Sequence, residues 1–190
     1  VLTVFDNIKM TSECLASVVR HFRDGDRLII VDNGSEDVTR NYLENFIADH
    51  GNVPVEMVRI QANQGFLRAA NAGLKISTKS TVCLLSNDTV VTDGWLDRMC
   101  GLIERDTRIG IVNPMSTTFG LYPAKGRTPD DIAAELKAKR GEYAESASCV
   151  GFCMLIKKSV IDNIGFLDEA YGDGYFEDTD FCRRAISAGF

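Results

Sequence analysis

Residues 27–37 read RLIIVDNGSED. Leu28 to Val31 form an unbroken apolar run, as expected of a strand covered on both faces. The run ends on Asp32, so a carboxylate stands at a strand tip. Asn33-Gly34 is a hairpin signal, but the residues beyond it follow a helical spacing. Val38, Tyr42, Leu43, Phe46 and Ile47 fall on one helical face, acids occupy the first turn, and Ser35 is placed to cap it. A strand followed by a helix implies a crossover to a parallel strand, and hence an α/β sheet.

The same unit recurs on either side. VLTVFDN (1–7) reads as a strand. Thr11 or Ser12 then caps a helix with Leu15, Val18, Val19 and Phe22 inward. VPVEMVRI (53–60), STVCLLS (80–86) and GIVNP (110–114) read as further strands. The helices between them run from Gln64 to Ser77 and, capped by Asp93, from Gly94 to Arg105. The expected fold is a mostly parallel, Rossmann-like sheet with helices on both faces. The pattern weakens over 115–146, which reads as a mobile insertion within one domain. It contains one helix, Pro129 to Arg140, with Pro129 suited to its first turn. SCVGFCMLIKK (148–158) returns to strand and Ser159 to Ile164 to helix. A last helix starts near Glu177. The chain opens and closes directly on elements, which reads as a domain cut from a longer protein at its C-terminal end.

Composition narrows the function classes. At 190 residues with 45% hydrophobic and 25% charged content, the chain has enough apolar residues for one substantial core. A net charge of −6 argues against nucleic acid, whose binding needs a basic footprint. Six cysteines at 14, 83, 100, 149, 153 and 182 include no CxxC pair. They read as reduced, buried thiols and point to a cytoplasmic setting. Cys149 and Cys153, four apart in a strand-like run, are expected on one buried face. No apolar run approaches a bilayer span. His21 and His50 read as surface residues. Lys125, Arg127, Lys137, Lys139 and Arg140 in the insertion can cover a phosphate or meet the inner face of a membrane; a solvated helix face is the plain alternative.

In open α/β sheets ligands bind beyond the C-terminal ends of the strands. Asp32 is one such residue, suited to a base or ribose, or simply to a turn. Ser86, Asn87 and Asp88 follow the STVCLLS strand. One carboxylate among amide and hydroxyl oxygens suits Mg²⁺ or Mn²⁺ completed by phosphates; an Asx turn is the alternative. The third place is GYFEDTDFCRRA (174–185). Asp178, Phe181, Cys182 and Ala185 share a helical face, so Asp178 heads an apolar stripe and points inward. Asp180 lies off the stripe, within reach of Arg183 or Arg184. Glu177 reads as a dipole or network residue. For Asp178 a catalytic carboxylate and an N-terminal cap both remain open. Trp95 reads as a core anchor or a sugar-stacking ring.

Taken in order, these stretches resemble the family 2 glycosyltransferases with the GT-A fold. VFDN (4–7) looks like the first-strand signature and IIVDNGSED (29–37) like the VD(D/N)GS element. NQGFLRAANAGL (63–74) is similar to the NxGxxxAxN helix. LLSNDTVV (84–91) matches the DXD-type element in the NDT form of rhamnosyltransferase-like members. GFLDEAYGDGYFEDTDFCRRA (165–185) resembles the acceptor loop and ED motif. The resemblance implies a metal-dependent, inverting transferase of polysaccharide biosynthesis. Its donor would be a nucleotide-diphosphate sugar and its acceptor a sugar, lipid-linked or protein hydroxyl. By position, Asp32 would contact the nucleotide with Phe5, Asp6 and Asn7 beside it. Asn63, Gly65 and Arg68 would lie near the nucleotide, as would Ser86 and Asn87. Asp88 would ligate the cation and Asp178 would act as base. Ser86 stands at the first DXD position, leaving one carboxylate for the metal. A transferase-like module without catalysis is the alternative.

Overall fold

The computed structural model describes residues 1–117, 126–139, 141–172 and 174–190. Among the described residues six strands form one sheet: β1 (Leu2–Val4), β2 (Leu28–Asn33), β3 (Val55–Ile60), β4 (Thr81–Ser86), β5 (Ile111–Val112) and β6 (Cys153–Lys157). Their order is β3-β2-β1-β4-β6-β5. β1, β2, β3 and β4 pair in parallel, and β6 runs antiparallel to both neighbours. The start of β6 therefore lies at the same edge as the ends of β1, β2 and β4.

Side-chain alternation divides the core between two layers. Leu28 and Ile30 of β2, Leu85 of β4, and Cys153 and Leu155 of β6 face one way. They meet Cys14, Leu15 and Val18 of α1 (Ile8–Arg20), Leu43 and Phe46 of α2 (Asp37–Asp49), and Met99 and Ile103 of α4 (Trp95–Ile103). The opposite layer holds Val82, Leu84, Met154 and Ile156. Leu67, Ala70 and Leu74 of α3 (Phe66–Ile76) cover it. So do Val160 and Ile161 of α6 (Lys158–Ile164), and Phe181 and Ala185 of α7 (Glu177–Ser187). The continuous apolar strands follow from this two-sided cover. Gly73 shows how close it is, since a Cβ there would meet Val1 and Val31 side-chain atoms at 2.3 and 3.0 Å. Trp95 packs against the first layer, as a core anchor does.

Several helix starts differ from expectation. α1 begins before Thr11, because Asp6 and Asn7 adopt left-handed conformations (φ 49° and 53°) that turn the chain early. Asp and Asn tolerate this region better than most residues. Thr11 is buried within the helix and donates to the Asp6 carbonyl. Ser35 does not cap α2: Glu36 holds that position, and the Ser35 hydroxyl accepts the Asp6 N–H at 3.0 Å. Val38, expected inward, is 67% exposed. Gly94, left-handed at φ 68°, replaces Asp93 as the start of α4, while Asp93 pairs with Lys137. α5 (Pro129–Glu135) opens on a Thr128–Asp131 capping box and passes into a 3-10 turn, Leu136–Lys139. Lys125 and Arg140 lie outside the described residues. Neither histidine is a plain surface residue: His50 stacks on Phe46 at 4.4 Å, and His21 is half-buried beside Arg20, Asp93 and Lys137. Among the described residues no helix is long and apolar enough to cross a membrane.

One buried amide ties the second layer together. Asn71 of α3 accepts the Leu167 N–H at 3.1 Å, donates to the Leu167 carbonyl at 2.9 Å and donates to Glu169 Oε1 at 3.1 Å. It fixes the chain that leads from α6 toward α7. Asn71→Ala leaves both Leu167 backbone groups unpaired in a buried place. Urea unfolding is expected to show a loss of about 1–3 kcal/mol.

Candidate active site

The tips of β1, β2 and β4 are joined by side chains into a continuous network. At β2, the fully buried Asp32 accepts the Ser35 N–H through Oδ1 at 2.9 Å and pairs with Arg59 through Oδ2. Arg59 was not singled out in the sequence. The available signal was its place in β3, whose register sets it beside Asp32. Asn33 reaches the loop before α3, donating to Asn63 Oδ1 at 2.8 Å and to the Gly65 carbonyl at 3.1 Å, and accepting the Gln64 N–H at 3.1 Å. Gly34 makes this approach feasible. Its φ is +79°, and a Cβ would stand 2.6 Å from backbone atoms of Ala62 and Asn63.

At β1, Asp6 Oδ1 accepts the Glu36 N–H at 2.8 Å. Phe5 is 47% exposed beside it, and Asn7 is also exposed. At β4, Asn87 donates to Thr11 Oγ1 at 2.8 Å, tying this tip to α1. The Ser86 carbonyl accepts from the Thr89 N–H and the Cys14 thiol. Asp88 is exposed and makes no hydrogen bond or ion pair among the described residues. Arg68 is also exposed, its Nε 3.4 Å from Glu169 Oε2.

The head of α7 joins this network through the segment just before β6. The Phe152 carbonyl accepts the Ser86 N–H at 2.9 Å and the Thr89 hydroxyl at 3.4 Å. The adjacent Gly151 N–H donates to Asp178 Oδ2 at 3.2 Å. Val150 exchanges two hydrogen bonds with the Asn113 side chain. Asp178 Oδ1 accepts the Thr179 N–H at 2.6 Å. Two adjacent backbone units thus tie the Asp88 loop and the Asp178 carboxylate to one short segment.

Within α7 the helical phase holds for Phe181, Cys182 and Ala185, all buried, whereas Asp178 at the head of the stripe is half-buried. Asp180 pairs with Arg184 at 2.7 Å, and Arg184 also donates to the Ile164 and Phe166 carbonyls. Glu177 differs from expectation. It is 7% exposed, and its Oε2 is buried without a hydrogen-bond partner among the described residues. Tyr175 and Phe176 enter the helix in left-handed conformations, φ 69° and 71°. Glu177 lies where a Cβ on Gly151 or Gly174 would stand about 4 Å from its oxygens. Burial raises its pKa above the ordinary carboxylate value. Cys149, too, departs from expectation: it precedes β6 and meets Cys182, while Cys153 sits in the strand 3.7 Å from Cys83.

A raised folded-state pKa means that the folded chain holds the Glu177 proton more tightly than the unfolded chain. Its contribution to stability is complete at low pH. It falls as pH rises above the ordinary carboxylate value of about 4.3 and levels off beyond the raised value. Glu177→Gln removes this dependence. Denaturation midpoints between pH 4 and 8 are expected to show the variant gaining on the parent with rising pH, then holding a constant lead.

The profile of glycosyl transferase family 2 matches residues 1–165. The chain is 25% identical over 171 residues to poly-beta-1,6-N-acetyl-D-glucosamine synthase of Staphylococcus epidermidis, covering 88% of this chain and 41% of that protein. It is 22% identical to the uncharacterized glycosyltransferase YwdF of Bacillus subtilis, covering 97% of this chain and 66% of that one. The chain thus spans less than half of the first relative and about two thirds of the second. In three dimensions it is similar to mannosyltransferase PcManGT of Pyrobaculum calidifontis, solved with GDP-Man and Mn²⁺. That match has a TM-score of 0.75 and 17% identity, and covers 100% of this chain and 51% of that one. S. aureus TarS residues 1–349 match at a TM-score of 0.68 and 16% identity, covering 97% of this chain and 53% of that one. With the profile spanning most of the chain and the sheet following the GT-A arrangement, this chain belongs to glycosyl transferase family 2.

Proposed function

We propose that this domain transfers a sugar from a nucleotide-diphosphate donor to an acceptor hydroxyl, with inversion at the anomeric carbon. The carrying observation is the Gly151-Phe152 backbone, which ties to one segment the half-buried Asp178 carboxylate and the loop bearing Asp88, a side chain with no ion pair among the described residues. Asp178 acts as the general base. Gly151 holds one of its oxygens, and the carboxylate takes the acceptor proton once the hydroxyl lies within roughly 3 Å. Asp32, oriented by Arg59 and Ser35, borders the nucleotide site together with Phe5, Asp6, Asn7, Asn63, Gly65 and Arg68. Ser86 and Asn87 shape the loop that presents Asp88.

No group of three His, Cys, Asp or Glu side chains placed to hold a metal is present among the described residues. A single free carboxylate still suits Mg²⁺ or Mn²⁺, which take ligands from one or two carboxylates together with substrate phosphates and water. A cation held by Asp88 and the donor would supply charge neutralisation for the leaving diphosphate. Metal affinity then depends on nucleotide. The mannosyltransferase and TarS folds, and solved complexes with GDP-Man and Mn²⁺ and with UDP-GlcNAc, support this choice of donor and ion. Similarity to a poly-N-acetylglucosamine synthase supports a glycan acceptor and polysaccharide assembly. Six free thiols favour a cytoplasmic setting. The lone Asp88 carboxylate also favours a second reading, a nucleotide-binding module without turnover.

Calorimetric titration with UDP, dTDP and GDP is expected to give binding that Mn²⁺ strengthens. Asp88→Ala removes the metal-dependent part and leaves the metal-free affinity. No heat with any of the three nucleotides in the presence of Mn²⁺ counts against the donor site. Asp178→Asn is expected to lower turnover on a nucleotide-sugar panel by about 10²- to 10⁴-fold, with nucleotide affinity unchanged. Equal turnover in the variant and its parent removes Asp178 as the base, and absence of turnover in the parent favours the inert module.

A further inference from the structure

We infer that Cys149 and Cys182 form a thiol pair that a hydroperoxide oxidises to a disulfide, stapling the segment before β6 to α7. The inference does not depend on Asp178 being the base.

The geometry is a matched register. Gly151 donates its N–H to Asp178, and Cys149, two residues earlier, donates its N–H to Cys182 Sγ at 3.3 Å. Asp178 and Cys182 are four apart, so they share a face of α7. Only Cα and Cβ separate the Cys149 nitrogen from its own sulfur, which makes the two sulfurs neighbours. The Cys149 side chain and backbone N–H draw the Cys182 pKa down against the opposing effect of burial, while that of Cys149 is raised. The two thiols are therefore unequal, Cys182 the more readily ionised, an asymmetry that disulfide formation uses. Cys182 is buried, and its neighbour Cys149 is half-buried in a stretch that carries no helix or strand from 141 to 152. The pair is therefore approached from the Cys149 side.

Cys14 and Cys100 lack this combination, and Cys83 and Cys153, which share the lowered and raised pKa values, differ in backbone geometry. Burial pushes Cys14 up to about 12 and raises Cys100. The Cys83 and Cys153 sulfurs are 3.7 Å apart, but Cys83 pairs with Leu155 and Cys153 with Leu85. That makes the two cysteines diagonal neighbours. Such positions are about 7–8 Å apart, and bridging beyond roughly 7 Å between Cα atoms needs backbone movement.

In the reaction the Cys182 thiolate attacks the hydroperoxide, breaking its O–O bond. The sulfur becomes a sulfenic acid, and the departing alkoxide takes up the proton that Cys182 released. The Cys149 sulfur then displaces hydroxide from the sulfenic acid, the S–S bond forms, and water leaves with the Cys149 proton. Two thiols lose two electrons, and the hydroperoxide is reduced to an alcohol and water.

The test treats the folded chain with stoichiometric hydrogen peroxide, counts thiols and maps disulfides by non-reducing peptide mass spectrometry. Six titratable thiols are expected to fall to four, with a dithiothreitol-reversible Cys149–Cys182 link. In Cys149→Ser, which keeps the backbone N–H, a dimedone-reactive sulfenic acid is expected at Cys182 with no disulfide. The inference is overturned by a Cys83–Cys153 link in place of the expected one, by Cys182 advancing to sulfinic acid with Cys149 still reduced, or by six thiols surviving in the parent.

Discussion

The backbone of residues 149–152 is the constraint on which the site depends. Four consecutive residues have no regular ladder to satisfy their polar groups, and other parts of the fold take them up. Cys149 and Gly151 donate to α7, Val150 is held by Asn113, and the Phe152 carbonyl receives the end of β4. Buried or half-buried backbone groups must find partners. Two of these partners, α7 and the end of β4, carry or adjoin the candidate chemistry. The antiparallel sense of β6 makes this feasible, because its first residue arrives at the edge where β1, β2 and β4 finish.

Electrostatics around this edge are uneven in a way that separates structure from chemistry. Asp32 is buried and matched by Arg59 and a backbone N–H, so its charge is compensated within the fold. Asp180 is matched by Arg184. Asp88 is exposed, with no ion pair among the described residues. Glu177 has a buried oxygen without a hydrogen-bond partner among the described residues, and burial favours its neutral form. Asp178, held by Gly151 and Thr179 and half-buried, is the carboxylate both restrained in position and open to approach. Of the three acids crowded between 177 and 180, one is a salt-bridge partner, one a buried acid, and one the candidate base.

Much of the sheet was legible because burial on two faces leaves a direct trace: unbroken apolar strands separated by helical periodicity. The strand tips were legible for the same reason, since Asp32 and Ser86 mark where apolar runs stop. Helix starts were less so. Thr11, Ser35 and Asp93 each have the chemistry of a cap, yet left-handed residues at Asn7 and Gly94 and an extended Glu36 begin the helices elsewhere. Val38 fits the apolar spacing of α2 but faces solvent, because helical phase is set by the packed face as a whole and not by a single residue.

The residues by themselves determined the layered α/β class, the order of its elements, the edge at which ligands would bind and the family resemblance. These follow from local hydrophobic periodicity and from motifs a few residues long, which operate within one element or turn. Tertiary structure alone decided that Arg59 neutralises Asp32, that Asn71 anchors the loop at Leu167, that Glu177 is the buried acid and that Cys149 meets Cys182 rather than sharing a strand face with Cys153. Each of these is a contact between residues far apart in the chain. Such partners are chosen by strand register and helix rotation, which no local pattern encodes.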